Sequence, residues 1–306
     1  MRDPTEASRS LPVAVFVALR PKQWVKNVFV FAALVLTGSL GEPGPTRATV
    51  LAFFVFCAAS SAVYLLNDVA DREGDRRHPV KRRRPIAAGE VPPVAASVLA
   101  ALLASGALIA SLKVTPLFTT VVVAYLLLQV AYTTFLKRMV IVEVLAIAGG
   151  FVLRVLGGGA AIDQPISPFL YLSVLFLALF QGFAKRRHEL TTLVDVAGEH
   201  RQSLNDYTVE LLDHLILIAA TATIMTYSLY PVFTPHVPAG LSANVLLLTI
   251  PFVLYAIFRY LFLVQVQGMG GTPEEMLLED RLLLLDVVAW ALFLLFILYV
   301  LPSPVR

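Results

Sequence analysis

Residues 48–66, ATVLAFFVFCAASSAVYLL, run without interruption into residues 67–75, NDVADREGD. The first part has the length and apolar content of a helix that crosses a bilayer, whose hydrocarbon core of roughly 30 Å takes about 20 residues. The second gathers amide and carboxylate oxygens at the end of that helix, where charge is costly and tends to be functional. Outward from this segment the apolar pattern recurs at residues 27–41, 93–112, 116–136, 139–160, 167–184, 211–231, 244–266 and 283–301. Together these predict an all-α, polytopic membrane protein of about nine transmembrane helices. The 306 residues are 58% hydrophobic and 15% charged, with a mean hydropathy of +0.78. An ordinary soluble domain, about a quarter charged, is thereby excluded. The lone Cys57 lies inside a span, which rules out a disulfide framework and leaves a small packing residue.

Basic residues set the expected orientation. With the N-terminus in the cytosol, nineteen of the 24 Lys and Arg residues fall on inner segments. Only Arg47, Lys113 and Arg306 fall outside, and Arg154 and Arg259 lie within spans. A multi-pass plasma-membrane protein is the expectation, with no cleavable signal peptide. Residues 1–26 read as a cytosolic, interfacial segment, because apolar Leu11 to Leu19 leads into the basic, Trp-containing RPKQWVKN of residues 20–27. Residues 27–306 read as a single transmembrane domain. Its inner loops, about 67–92, 185–210 and 267–281, are long and polar, so chemistry is expected on the inner face.

On a continuing helix Asn67, Asp71 and Asp75 are spaced i, i+4, i+8 and share a face, with Asp68 beside them. Such oxygens suit a hard cation such as Mg²⁺, which takes one or two carboxylates and completes its shell with substrate phosphates. Directly downstream, residues 76–89 read RRHPVKRRRPIAAG. A basic run at an inner membrane edge is first of all an anchor for anionic lipid. Beside a metal site it also neutralises phosphate oxygens, and the two segments together describe a polyphosphate pocket. A second polar cluster, KRRHEL at 185–190, ends the sixth span, with Lys185 and Glu189 an i, i+4 pair; Asp195, Arg201, Asn205, Asp206 and Tyr207 follow. Tyr132 and Lys137 end the fourth span on the same side, while Lys22, Trp24, Lys26 and Asn27 sit at the inner interface. Glu143 and Arg154 share a face of the fifth span about 16 Å apart along its axis, so each needs its own partner. Gly157, Gly158 and Gly159 permit close helix packing. The acidic 267–281 segment reads as a solvated lid, and no nucleic-acid partner is expected.

The Asn67-Asp68-x-x-Asp71-x-x-x-Asp75 segment on a many-span helical chain resembles the UbiA superfamily of intramembrane prenyltransferases. RPKQWVKN at 20–27, Tyr64, the run from Asn67 through His78-Pro79-x-Lys81 to RPIAAG at 84–89, Phe151 to Arg154, and Lys185-Arg186-x-x-Glu189-Leu190 are similar to its decaprenyl-phosphate phosphoribosyltransferase branch. The second aspartate-rich motif of the wider superfamily is absent, with Lys185 and Glu189 in the comparable region. The resemblance implies a UbiA-type bundle and transfer of 5-phosphoribosyl from 5-phosphoribosyl 1-diphosphate to decaprenyl or a related polyprenyl phosphate. The product would feed decaprenyl-phosphate arabinose and cell-wall arabinan. It further implies Mg²⁺ on Asn67 and Asp71, with Asp68 and Asp75 as second ligands or orienting groups. Lys26, Tyr64, Lys81, Arg84, Lys137, Arg154 and Lys185 are implied for donor and lipid phosphates, and Glu189 for ribose hydroxyls. The lipid substrate enters laterally, and self-association into a homo-oligomer is left open. Two alternatives stand beside this reading. A UbiA-type prenyltransferase would use the same motif to move a prenyl group from prenyl diphosphate to an aromatic or glycerol-phosphate acceptor. A membrane transporter or lipid-binding scaffold would explain the spans but not carboxylates beside a basic run.

Overall fold

The computed structural model of the protein describes residues 9–192, 204, 206–233, 243–271 and 273–301, and every regular element among them is helical. After a short helix α1 (Leu11–Ala18) comes a 3-10 segment (Pro21–Phe31) that continues as α2 (Ala32–Leu36). Next follow α3 (Pro43–Ala70), α4 (Arg72–Arg77), α5 (Pro93–Ser111), α6 (Pro116–Thr134), α7 (Val142–Ala161) and α8 (Pro168–Thr192). The chain then forms α9 (Val209–Phe233), α10 (Ala243–Leu246), α11 (Ile250–Gln265), α12 (Pro273–Glu279) and α13 (Arg281–Tyr299).

Eight helices are long and apolar enough to cross a membrane: α3, α5, α6, α7, α8, α9, the stretch Leu247–Gln265 and α13. They match eight of the nine expected spans to within a few residues, except where a polar helix end outruns the apolar run, as in α3 and α8. The expected first span, 27–41, takes another form. It starts inside the 3-10 segment Pro21–Phe31, whose eleven residues, at roughly 2.0 Å of rise each, extend with the five of α2 over about 30 Å, enough to match the hydrocarbon core. RPKQWVKN, expected to lie flat in the interface, is the start of this segment and docks on α3 and α7. Helix α1 does present Leu11, Val13, Phe16 and Val17 outward while Ala14 and Ala18 pack inward.

Local sequence explains where helices begin. Pro43, Pro93 and Pro116 open α3, α5 and α6, where a missing N–H leaves no bond unmade. Thr115 caps α6 by accepting from Phe118 N at 3.0 Å and donates to Ala160 O at 2.8 Å, tying the far ends of α6 and α7. Helices α7 and α3 form the centre, with 67% and 56% of their apolar windows buried against 17–33% for the others. Peripheral helices turn apolar side chains outward, Leu102 and Ile109 on α5 and Leu285 and Leu292 on α13 among them. That is the outside-apolar pattern of a chain solvated by lipid.

Polar contact holds the centre together. Arg154, 5% exposed, donates to Asn27 Oδ1 at 2.7 Å, Gly150 O at 2.8 Å and the Tyr125 hydroxyl at 3.0 Å. Asn27 in turn donates to Cys57 Sγ at 3.3 Å and Ser60 Oγ at 3.4 Å on α3. The close approach needs a glycine: a Cβ on Gly158 would stand 2.0 Å from Val30 O. Gly158→Ala is therefore expected to lower the thermal midpoint in detergent by several degrees, whereas Gly106→Ala, with nothing within 4 Å, stays at the wild-type value. Equal melting of the two variants would mean that the 3-10 segment does not rest on α7.

Candidate active site

Helix α3 carries Asn67 and Asp68 in its last turn, and the helical path bends at Asp71 (φ −90, ψ 4) before α4 resumes it. The amides of Asp71 and Asp75 still donate to Asn67 O and Asp71 O, each at 2.8 Å, so Asn67, Asp71 and Asp75 remain on successive turns at the i, i+4 spacing, with Asp68 beside them. Asp68 and Asp75 are buried, at 2% and 5% exposure. Arg84 bridges them, Nη1 lying 3.2 Å from Asp68 Oδ1 and 2.6 Å from Asp75 Oδ2. Arg20 donates to the same Asp68 oxygen at 2.5 Å, and its guanidinium lies over the Tyr64 ring at 5.0 Å. The left-handed backbone at Arg20 (φ 55) turns the chain between α1 and the 3-10 segment. Asp71, more open, meets Lys137 Nζ at 2.7 Å.

The basic loop reaches this cluster because its apolar end is anchored. Ile86 and Val91 are buried with Ala14, Ala18, Ala62 and Leu65, and Arg76 Nε donates to Ala87 O at 3.1 Å. His78 Nδ1 accepts from the amides of Val80 and Lys81 at 3.1 and 3.2 Å, turning the chain so that half-buried Lys81 follows α4 closely.

Among the described residues no three His, Cys, Asp or Glu side chains are grouped to hold a metal unaided. Two of the α3–α4 carboxylates are committed to guanidinium groups; Asp71 keeps an open face, and the Asn67 amide makes no side-chain hydrogen bond among the described residues. One accessible carboxylate and one amide fit Mg²⁺, which completes its shell with water and substrate phosphate.

The second cluster lies at the same end of the bundle. Glu143, fully buried at the start of α7, faces Arg186 Nε of α8 at 3.6 Å, and Arg186 also donates to Glu189. Tyr132, at the end of α6, stands between the clusters, with Arg186, Glu143, Glu189 and Asp71 as its electrostatic neighbours. Arg187 clamps α8 to α9 and α11 through Asp213 Oδ1 at 2.5 Å and Val264 O at 3.2 Å. The expected 267–281 lid is partly structural: Gly270 sits against the His188 side chain, and His188 Nδ1 is 3.3 Å from Gly268 O. Asp280 caps α13 and pairs with Arg259 at 2.7 Å, and the Arg259 hydrogen bond holds the Asp280 carboxyl below its usual range. Burial pushes the Tyr207 phenol up; its hydroxyl accepts from Ile141 N at 2.7 Å. The stretch with Asp195, Arg201 and Asn205 lies outside the described residues.

Of the sequence candidates, Asn67, Asp68, Asp71, Asp75, Tyr64, Arg84 and Lys137 come together in the first cluster, and Glu189 belongs to the second. Lys185 lies on α8 next to Arg186, and Lys26 is half-buried on the 3-10 segment. Arg154 departs from its assignment to phosphate: its guanidinium is engaged inside the bundle by Asn27, Gly150 and Tyr125, which makes it a scaffold residue. Two residues escaped the sequence reading. Arg20 was visible only as part of a basic interfacial motif, and Arg186 only as a member of the polar KRRHEL cluster at 185–190.

Residues 27–272 match the UbiA prenyltransferase family. The chain is 38% identical over 294 residues to a decaprenyl-phosphate phosphoribosyltransferase of Mycobacterium tuberculosis, covering 94% of each protein. It is 35% identical to the protein of that name in Mycolicibacterium smegmatis, covering 92% of this chain and 91% of that one. In fold it is similar to a UbiA homolog from Archaeoglobus fulgidus solved with GPP and Mg²⁺, at TM-score 0.72 and 16% identity, covering 92% of this chain and 96% of that one. Digeranylgeranylglyceryl phosphate synthase is likewise similar, at TM-score 0.68 and 16% identity, covering 95% and 99%.

Removing Arg84 leaves two buried carboxylates short of their shared partner, a change of the kind that costs roughly 3–5 kcal/mol. Arg84→Met is thus expected to melt well below wild type, and Lys137→Met, which breaks a more exposed pair, to melt near it. The two melting curves in detergent check this, and a stable Arg84→Met protein would contradict the bridging role.

Proposed function

Because the chain belongs to the UbiA prenyltransferase family, we propose that it transfers 5-phosphoribosyl from 5-phosphoribosyl 1-diphosphate to decaprenyl or a related polyprenyl phosphate, releasing diphosphate. The observation that carries the proposal is near full-length identity of 34–38% to proteins of that named activity. The geometry is consistent with it. One polar cluster keeps an accessible carboxylate beside basic side chains, and in the other Arg186 engages both Glu143 and Glu189.

In this reaction a phosphate oxygen of the lipid forms a bond to the anomeric carbon as the carbon–oxygen bond to diphosphate breaks. The acceptor is already anionic, so no general base is required, and the demand falls on stabilising the leaving group. Bound at Asn67 and Asp71, Mg²⁺ would supply charge neutralisation to the diphosphate. Lys137, which meets Asp71 at 2.7 Å, and Lys81 in the basic loop after α4 are assigned to the diphosphate, with Lys26 and Tyr64 on the neighbouring 3-10 segment and α3. Arg84 and Arg20 fix Asp68 and Asp75, which keeps the end of α3 in register with α4. Lys185 and Glu189 are assigned to the ribose side.

An apolar cleft of about 200 Å³ between α3 and α6, lined by Val63, Leu66, Ala70, Val130 and Thr133, ends one residue from Asp71. It supports lateral approach of the prenyl chain from the bilayer, with the phosphate arriving at the polar end. The basic distribution supports a cytosolic site in the plasma membrane, and the product would serve decaprenyl-phosphate arabinose and arabinan synthesis.

Purified protein in detergent with labelled phosphoribosyl diphosphate and decaprenyl phosphate is expected to move label into lipid only with a divalent metal. Asp71→Ala is expected to lower transfer at least about a hundredfold. Transfer that ignores both changes, or consumption of an allylic prenyl diphosphate instead, overturns the reading. Orientation is checked in a Cys57→Ser background: Lys113→Cys should react with an impermeant maleimide in intact cells, and Arg82→Cys only after lysis. The reverse pattern would place the site outside.

A further inference from the structure

We infer that Tyr207 is a positioning residue that holds the turn between α6 and α7, and through it Lys137, in the geometry the site requires. The assignment begins with an unusual backbone. Ile141 adopts φ 66 and ψ −47, and the Val142 amide donates to Val140 O at 2.7 Å across it. This is the γ-turn of rare, strained hand, and a β-branched residue is poorly suited to it. Strain of this kind persists only where surrounding structure imposes it.

The surrounding structure includes the Tyr207 hydroxyl, which accepts from Ile141 N at 2.7 Å. Tyr207 is itself 4% exposed, set in the core with Val144, Ala148, Phe183 and Leu212. Its ring cannot move away without opening that core, so the hydroxyl is a fixed point. The turn it holds carries functional groups on both sides. Lys137, four residues upstream, meets Asp71 at 2.7 Å. Glu143, two residues downstream, faces Arg186. One hydrogen bond therefore sets the spacing between the two polar clusters, from a tyrosine that follows the segment after α8.

The inference rests on the proposed reaction only for what Lys137 does, since misplacing a charge by about 1 Å at a leaving group can cost roughly a hundredfold. Tyr207→Phe, which removes the hydroxyl and keeps the ring, is expected to lower kcat by about tenfold or more, with KM for the lipid and the melting temperature near wild type. Ile141→Gly relieves the backbone strain and should keep wild-type turnover. In the double variant, glycine adopts the turn without help, and most of the lost kcat returns. Wild-type kcat in Tyr207→Phe, or a double variant as slow as the single one, overturns the inference. Hydrogen exchange separates this from failure of the functional reading. Even if wild-type protein moves no label, faster exchange confined to residues 139–145 in Tyr207→Phe upholds the positioning role, and unchanged exchange there refutes it.

Discussion

A carboxylate at the edge of hydrocarbon must be neutralised, and three aspartates, Asp68, Asp71 and Asp75, sit at the end of α3 and on α4. Their counter-charges come from three separate parts of the chain: Arg20 ahead of the 3-10 segment, Arg84 in the loop after α4, and Lys137 in the turn after α6. Each pairing fixes its element. The N-terminal segment is drawn onto α3, the basic loop is folded back over α4, and the α6–α7 turn is brought beneath Asp71. Deleting one partner of a buried pair leaves an uncompensated charge, which costs more than the pair itself contributes. The arrangement is therefore cooperative across elements remote in sequence.

A second polar constraint acts deeper. Arg154 is satisfied in the centre of the bundle by an amide, a carbonyl and a phenol, with the Tyr125 and Phe151 rings at 4.9 and 5.5 Å. Asn27 must face both Arg154 and the polar stripe of Cys57 and Ser60, and it is the 3-10 segment that carries it there. The same segment ends against Gly158, whose missing side chain lets backbone meet helix directly. A polar contact that would be weak in water thus locks the first span, in a setting where the unpaired alternative is expensive.

Much of this was legible in the sequence. Apolar length located the eight long helices, and the spacing of Asn67, Asp71 and Asp75 located the first cluster. The axial distance between Glu143 and Arg154 correctly required separate partners, Arg186 for one and Asn27 for the other. What stayed hidden depended on contacts between distant residues. Hydropathy cannot show that residues 21–31 follow a 3-10 path, along which Asn27 meets Arg154 and Cys57 and Val30 meets Gly158 across the bundle. Nor can it tell a guanidinium that binds phosphate from one that holds a carboxylate. Arg84 and Arg154 look alike in sequence as cations near polar motifs, and only their partners distinguish them.

The two clusters differ in how readily their counter-charges can be exchanged. At the second, Glu143 and Arg186 have side chains 0% and 2% exposed, so their charges stay with each other. At the first, Asp71 and Lys137 are 38% and 20% exposed, and water can replace either partner at modest cost. On the proposed reading, Asp71 with Asn67 would hold the divalent ion, and Lys137, now paired with Asp71, would be available to neutralise a diphosphate oxygen. On that reading the exchangeable pair lies at the first cluster, while the buried Glu143–Arg186 pair of the second stays fixed beside it.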